Sequence, residues 1–164
     1  MNLSTLFTMQ KKLDQRIELE HGLQNESLFE RKVLALLVEL GELANETRCF
    51  KFWSKKPASN KDVIVEEYVD GLHFILSLGI EAGYDQEIEK IEIETSMVQN
   101  LTTHFIDVYS GIYKFKEDHS KVNYICLIEQ YLLLGHALDF KYGDIEKAYM
   151  DKNTVNHERQ DQGY

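Results

Sequence analysis

Between residues 33 and 44 the chain places Val33, Leu36, Leu37, Leu40, Leu43 and Ala44 at intervals of three and four. At about 100° per residue these side chains make one broad apolar stripe on a helix. Along the edge of that stripe run Glu39, Glu42 and Glu46. Carboxylates are seldom buried without a partner, so a leucine-rich helix that carries three of them at its packing border has to pack against something that neutralises them. One proline and nine glycines in 164 residues leave too little punctuation for a many-turned all-β fold. The long Leu-, Glu-, Lys- and Ile-rich stretches favour helices instead. The expected fold is therefore an all-α helical bundle, a single domain over residues 1–164.

The remaining helices follow from the same periodicity. Residues 3–20 carry Leu3, Leu6, Phe7, Leu13 and Ile17 on one face, with Gln10 inside the stripe and Asp14 one turn beyond it. A polar side chain on such a face needs a partner, which in the plainest case is a structural hydrogen bond to a neighbouring helix. Ser27 with Glu30 reads as a capping box that starts the second helix. TRCFKFWSKKPASN, with the only proline, reads as a loop; it interleaves Phe50, Phe52 and Trp53 with Arg48, Lys51, Lys55 and Lys56. Rings of that kind stack on bases and lysines hold phosphates, although the same residues also serve as a core plug with a solvated rim.

A third helix is expected over about 62–80, containing EEYVDGLHF. Glu67, Asp70 and Phe74 share its stripe, with His73 and Ser77 beside it. Consecutive helices joined by one loop pack antiparallel, which brings Glu39-x-x-Glu42 to face Glu67-x-x-Asp70. From Asp85 a further helical pattern places Ile91, Val98, Phe105 and Ile112 seven apart, with Leu101 and Val108 between them, as in a packing or dimerisation seam. A strongly apolar helix follows over 122–138. The polar tail, read as a helix from Asp144, sets Ile145, Tyr149, Lys152, Asn156 and Arg159 on one face; a solvated terminal helix is the plain alternative.

A formal net charge of −10 argues against nonspecific binding to nucleic acid or anionic membranes. Cys49 and Cys126 form no zinc pattern; they suit inert thiols in a reducing compartment, with one disulfide as the alternative. The N-terminal residues lack the basic-then-apolar order of a signal peptide, and no apolar run reaches membrane-spanning length, so a soluble cytoplasmic protein is expected.

Four converging carboxylates repel one another and raise each other's pKa values. Hard divalent cations resolve this: Mg²⁺ takes oxygen ligands from a few carboxylates, with water and substrate phosphate completing its shell. Two or more ions at about 3.5–4 Å spacing can clamp a phosphate chain and activate a water. ExxE and ExxD are each common on amphipathic helices as solvated acidic edges; their order, with a basic-aromatic loop between them, is far more specific. A diiron site, which wants Glu-x-x-His from two helices, fits poorly, because only Glu18-x-x-His21 and Asp70-x-x-His73 supply histidine.

LFTMQKKLD, ELGELANETRCFKFWS, EEYVDGLHFILSLG and the terminal KNTVNHERQDQGY, in this order, resemble the dimeric all-α dUTP pyrophosphatases, members of the wider all-α nucleoside triphosphate pyrophosphohydrolase group. The resemblance implies Mg²⁺-dependent hydrolysis of dUTP, and also of dUDP, to dUMP. It implies two or more ions held by Glu39, Glu42, Glu67 and Asp70, with Glu42 positioning or deprotonating the attacking water. It places Gln10, Trp53 and Phe74 near the nucleoside, Lys51, Lys152, Asn156 and Arg159 on the phosphate side, and Asp14, His73 and Asn153 among the substrate contacts. It further implies a homodimer and, for a phage-type member, a repressor-protein partner. Glu46, outside the four-ligand set, is expected to support the site or to pair with a nearby basic group. The competing readings are a related pyrophosphohydrolase for dCTP or a damaged nucleotide, and a non-enzymatic helical module that uses the seven-residue seam.

Overall fold

The computed structural model describes residues 1–94 and 100–163. Among them are six α-helices and no extended strand: α1 (Ser4–Glu20), α2 (Phe29–Thr47), α3 (Lys61–Glu81), α4 (Leu101–Glu117), α5 (Lys121–Ala137) and α6 (Tyr142–Asp161). The fold is all-α. The apolar stripes do what their period requires. Leu36, Leu40 and Leu43 of α2 are fully buried, as are Leu72, Ile75 and Leu76 of α3, and one contiguous core runs through residues of all six helices. The most extensive helix contact joins α2 to α3, the two that carry the acidic motifs; α4 pairs with α5, and α6 lies against α3 and α1.

Helix α3 is nearly all buried over its second half and packs against α5 through tyrosine–glycine contacts. The rings of Tyr68 and Tyr131 stack at 4.6 Å, and each hydroxyl donates to the other residue's backbone carbonyl, at 3.0 and 2.7 Å. Tyr124 of α5 donates to the Ile75 carbonyl at 3.1 Å. A side chain at Gly71 or Gly79 would run into the Tyr131 or Tyr124 ring, so the glycines inside this helix mark close approach rather than helix ends.

Two sequence expectations change. Ser27 does not cap α2: the helix starts at Phe29, Leu28 takes the cap position, and no side chain caps it. The pattern from Asp85 is not one helix. Residues 84–86 form a single 3-10 turn, and the next segment pairs with the N-terminus, Leu3 N–H donating to Glu89 O at 2.8 Å and Ile91 N–H to Met1 O at 3.1 Å. Helix α4 starts at Leu101, where Asn100 accepts from Thr103 N–H as its cap. The seven-residue seam is internal: Ile91, Phe105, Val108 and Ile112 are buried within the chain, while Val98 lies outside the described residues. Of the two readings of this spacing, a packing seam is the one these buried residues support, with α5 lying against α4.

Candidate active site

Where α2 and α3 face each other, carboxylate oxygens of Glu39, Glu67 and Asp70 all lie within 4.8 Å of one another. The i, i+3 spacing puts Glu67 and Asp70 on the same face of α3, and the antiparallel packing brings Glu39 against them. Glu42 is outside that cluster and exposed, yet close enough for its charge to act on both Glu39 and Glu67. Burial, followed by the charges of Asp70, Glu42 and Glu67, pushes the Glu39 carboxyl from its ordinary 4.5 to about 7. Glu67 is raised for the same reasons, burial first and then Asp70. Such a group holds excess negative charge that a cation would relieve.

One cation from the protein already reaches it. Lys152 of α6 is buried, and its Nζ lies 2.7 Å from Asp70 Oδ2 and 2.8 Å from Glu66 Oε1. Burial opposes the charge on Lys152, but the two carboxylates outweigh it and its pKa is raised. Asp70 is raised despite this pair, because its own burial outweighs the lysine; the exposed Glu66 is lowered by the same bond.

Next to the acidic cluster a cavity of about 520 Å³ opens between α1, α2, α3 and α6, a size that suits a small organic ligand. Gln10 and Asp14 line it from α1, Glu39 from α2, Asp70, His73 and Phe74 from α3, and Asn156 and Arg159 from α6. Eight of the residues singled out in the sequence thus share one wall system. Gln10 Nε2 donates to Asp14 Oδ1 at 2.7 Å, and the Ser77 hydroxyl donates to Asp14 Oδ2 at 2.6 Å. Burial raises the Asp14 pKa, against the pull of these two bonds. His73 is buried; its Nδ1–H donates to Val69 O at 2.6 Å, while Nε2 has no partner. Burial lowers its pKa to about 4, so the ring is neutral at physiological pH and Nε2 presents a lone pair.

Asn153 is buried beside Lys152 in sequence, with its Nδ2 unpartnered. Four expected contacts do not line this cavity: Lys152 meets it only through Asp70, Asn153 is not among its lining residues, and Lys51 and Trp53 lie away from it. Trp53 is 65% exposed and packs edge-on to Phe50 and Phe52, and Lys51 donates to Asn45 Oδ1 and sits 5.5 Å over the Phe50 ring. The reason lies in the loop. Arg48 adopts a left-handed backbone at φ 57° and donates to Ser54 and to the Lys56 carbonyl, which folds residues 48–56 back on themselves. Glu46 accepts from the Ser59 hydroxyl, so its partner is not a basic group. Tyr149, which the periodicity sets on the Lys152 face without a role, is fully buried on α6; its hydroxyl donates to Gln10 Oε1 at 2.7 Å and its ring stacks on His73 at 4.1 Å. Its place three residues before Lys152 is a signal for position, and the contact with Gln10 is one that only packing supplies.

The family model for dUTPase matches residues 2–164, nearly the whole chain. The chain belongs to the all-α dUTPase family. A comparison with curated protein sequences finds no match. Family membership makes the chain an enzyme, a dUTP diphosphatase, whose general reaction is hydrolysis of dUTP. For a dUTPase the acidic cluster and the cavity are adjacent in a useful sense: Glu39 and Asp70 belong to both. Among the described residues of this dUTPase, no helix is long and apolar enough to cross a membrane, and both cysteines are free thiols.

Proposed function

We propose that the cavity takes the nucleoside of dUTP, or of dUDP, and that the acidic cluster takes its phosphates together with Mg²⁺. The observation that carries this reading is the set of three mutually close carboxylates opening onto a cavity with an unpaired, buried His73 Nε2. Oxygen-only donors with raised pKa values suit a hard cation, and Glu39, Glu67 and Asp70 would hold it with Glu42 joining from the rim. Two or more ions fit four carboxylates better than one. Bound there, Mg²⁺ would offset phosphate charge and lower the pKa of a coordinated water.

The chain's own groups do the rest. Glu42, exposed at the edge of the cluster, accepts the proton of the attacking water as the water oxygen bonds to phosphorus. The α–β phosphoanhydride P–O bond breaks, giving dUMP and pyrophosphate from dUTP, or dUMP and phosphate from dUDP. Lys152, Asn153, Asn156 and Arg159 serve the phosphate side from α6, while Gln10, Asp14, His73 and Phe74 hold the nucleoside. Lys51 and Trp53 stay outside the proposed contact set.

One core through all six helices supports a single catalytic domain over residues 1–164, and the free thiols support a reducing cytoplasmic setting. The enzyme is proposed to work as a homodimer. Support comes from Leu34 and Val38 of α2 with Ile106 and Tyr113 of α4, all exposed, rather than from the internal seam. A panel of nucleotides with and without Mg²⁺, read by product identity, tests the chemistry. Pyrophosphate should be released from dUTP much faster than from dCTP, dTTP or UTP, and only with the metal. Equal rates on all four would defeat the uracil–deoxyribose assignment.

A further inference from the structure

Two polar groups of the cavity wall have their free valences set by one side chain that is not expected to touch the substrate. Gln10 is buried, and both ends of its amide are engaged: Oε1 accepts from the Tyr149 hydroxyl at 2.7 Å and Nε2 donates to Asp14 at 2.7 Å. One amide N–H is left over. The alternative acceptor for Tyr149, Leu6 O, is at 3.5 Å and much the weaker. His73 is likewise held from two sides, by its bond to Val69 O and by the Tyr149 ring, stacked at 4.1 Å with 17° between planes. What His73 has left is the Nε2 lone pair, buried and unpaired. A buried acceptor without a donor costs free energy, so a ligand N–H placed against it gains what the empty pocket lacks.

Gln10 and His73 both line the cavity, so its wall holds one uncommitted donor and one uncommitted acceptor. Uracil carries an N3–H donor flanked by carbonyl acceptors and matches both. Cytosine has a lone pair at N3, which would meet the His73 lone pair, and so leaves two acceptors face to face. We infer that Tyr149 is a positioning residue for base selection, holding Gln10 and His73 in the orientation that accepts an imide base and rejects cytosine. This rests on the assignment of the cavity to the nucleoside of dUTP. It places base selection, as well as phosphate contacts, under the control of α6.

The test is steady-state kinetics of the full-length enzyme with Mg²⁺ on dUTP and dCTP, for the wild type, Tyr149→Phe, Gln10→Ala and the double variant. Removing only the hydroxyl should raise KM for dUTP about 5- to 20-fold, the worth of one buried hydrogen bond. The kcat should stay within about twofold, as expected when binding shared by the ground state and the transition state is lost. The dUTP-to-dCTP ratio of kcat/KM should fall about tenfold with it. In the Gln10→Ala background the same change should add less than about twofold, because Tyr149 acts through Gln10. An unchanged ratio in Tyr149→Phe, or effects that multiply in the double variant, would overturn the inference. A wild type that does not prefer dUTP overturns the nucleoside assignment itself. Independently of any variant, the ¹⁵N resonance of His73 Nε2 in the wild type should shift on adding dUMP and not on adding dCMP; no shift with either overturns the donor–acceptor match.

Discussion

Glu39 and Glu42 are three residues apart on α2, yet the fold treats them differently. Glu39 is half-buried against Glu67 and Asp70, with its pKa driven up to about 7, while Glu42 stays exposed at the rim. A ligand wants close convergence with other carboxylates; a proton acceptor wants access to water and to the phosphate. The division of labour proposed above follows that contrast. Glu42→Gln keeps the size and the helix propensity but removes the base. The kcat for dUTP should fall about 10²- to 10⁴-fold, the usual worth of a positioned general base. The far-UV circular dichroism and melting temperature should stay unchanged. Near-normal turnover would remove Glu42 from its role.

At the scale of elements, α3 is the pivot. One face presents Glu67, Asp70 and His73 to the site, and the other meets α5 through the tyrosine–glycine contacts. The positions of the acidic groups therefore depend on how closely α5 approaches. Gly79→Ala would ordinarily stabilise a helix by up to about 1 kcal/mol through propensity. Here the added methyl would overlap the hydroxyl and ring carbons of Tyr124, a buried ring held by its bond to Ile75 O. Overpacking of that kind costs about 1–3 kcal/mol, so the substitution should lower the urea midpoint rather than raise it. A raised midpoint would show that α5 yields without strain. Helix α6 matters in a different way: its buried Tyr149 contacts Gln10 and His73, its buried Lys152 contacts Asp70, and Arg16 of α1 anchors its end through the His157 carbonyl at 3.0 Å and Asp161 at 2.6 Å.

For the molecule as a whole, the unrelieved negative charge of the site becomes a pH-dependent stability. In metal-free protein, Glu39 in the folded state holds its proton up to about pH 7, whereas in the unfolded chain it releases it near its ordinary 4.5. Between those values the folded state binds more protons than the unfolded one, so raising the pH favours unfolding. Glu67, Asp70 and Asp14 are shifted in the same direction. Solvent screening of these partly exposed groups trims the effect to the order of 1 kcal/mol. In EDTA the melting temperature should therefore fall as pH rises from 5 to 7.5, and added Mg²⁺ should restore it, most of all at the upper end. A flat profile would mean that the cluster is not under electrostatic load.

Periodicity alone located three helices closely, because an amphipathic stripe is a local property: 3–20 against Ser4–Glu20, 62–80 against Lys61–Glu81, 122–138 against Lys121–Ala137. The ExxE and ExxD pairs were legible for the same reason, their spacing being that of one helix face, and the family resemblance was legible in the same segments. The seven-residue spacing from Asp85 predicts a continuous helix, whereas pairing with residues 1–3 makes part of that region extended. Only the tertiary structure could decide that Lys152 neutralises Asp70, that Trp53 turns out to solvent, and that Tyr149 fixes Gln10 across 139 positions of sequence. Those facts depend on which helix faces which and how near, and no residue carries that information by itself. The amino-acid sequence by itself determined the helices and the acidic chemistry they carry. Packing decided which carboxylates converge, which cation meets them, and which groups are left in the cavity for a ligand.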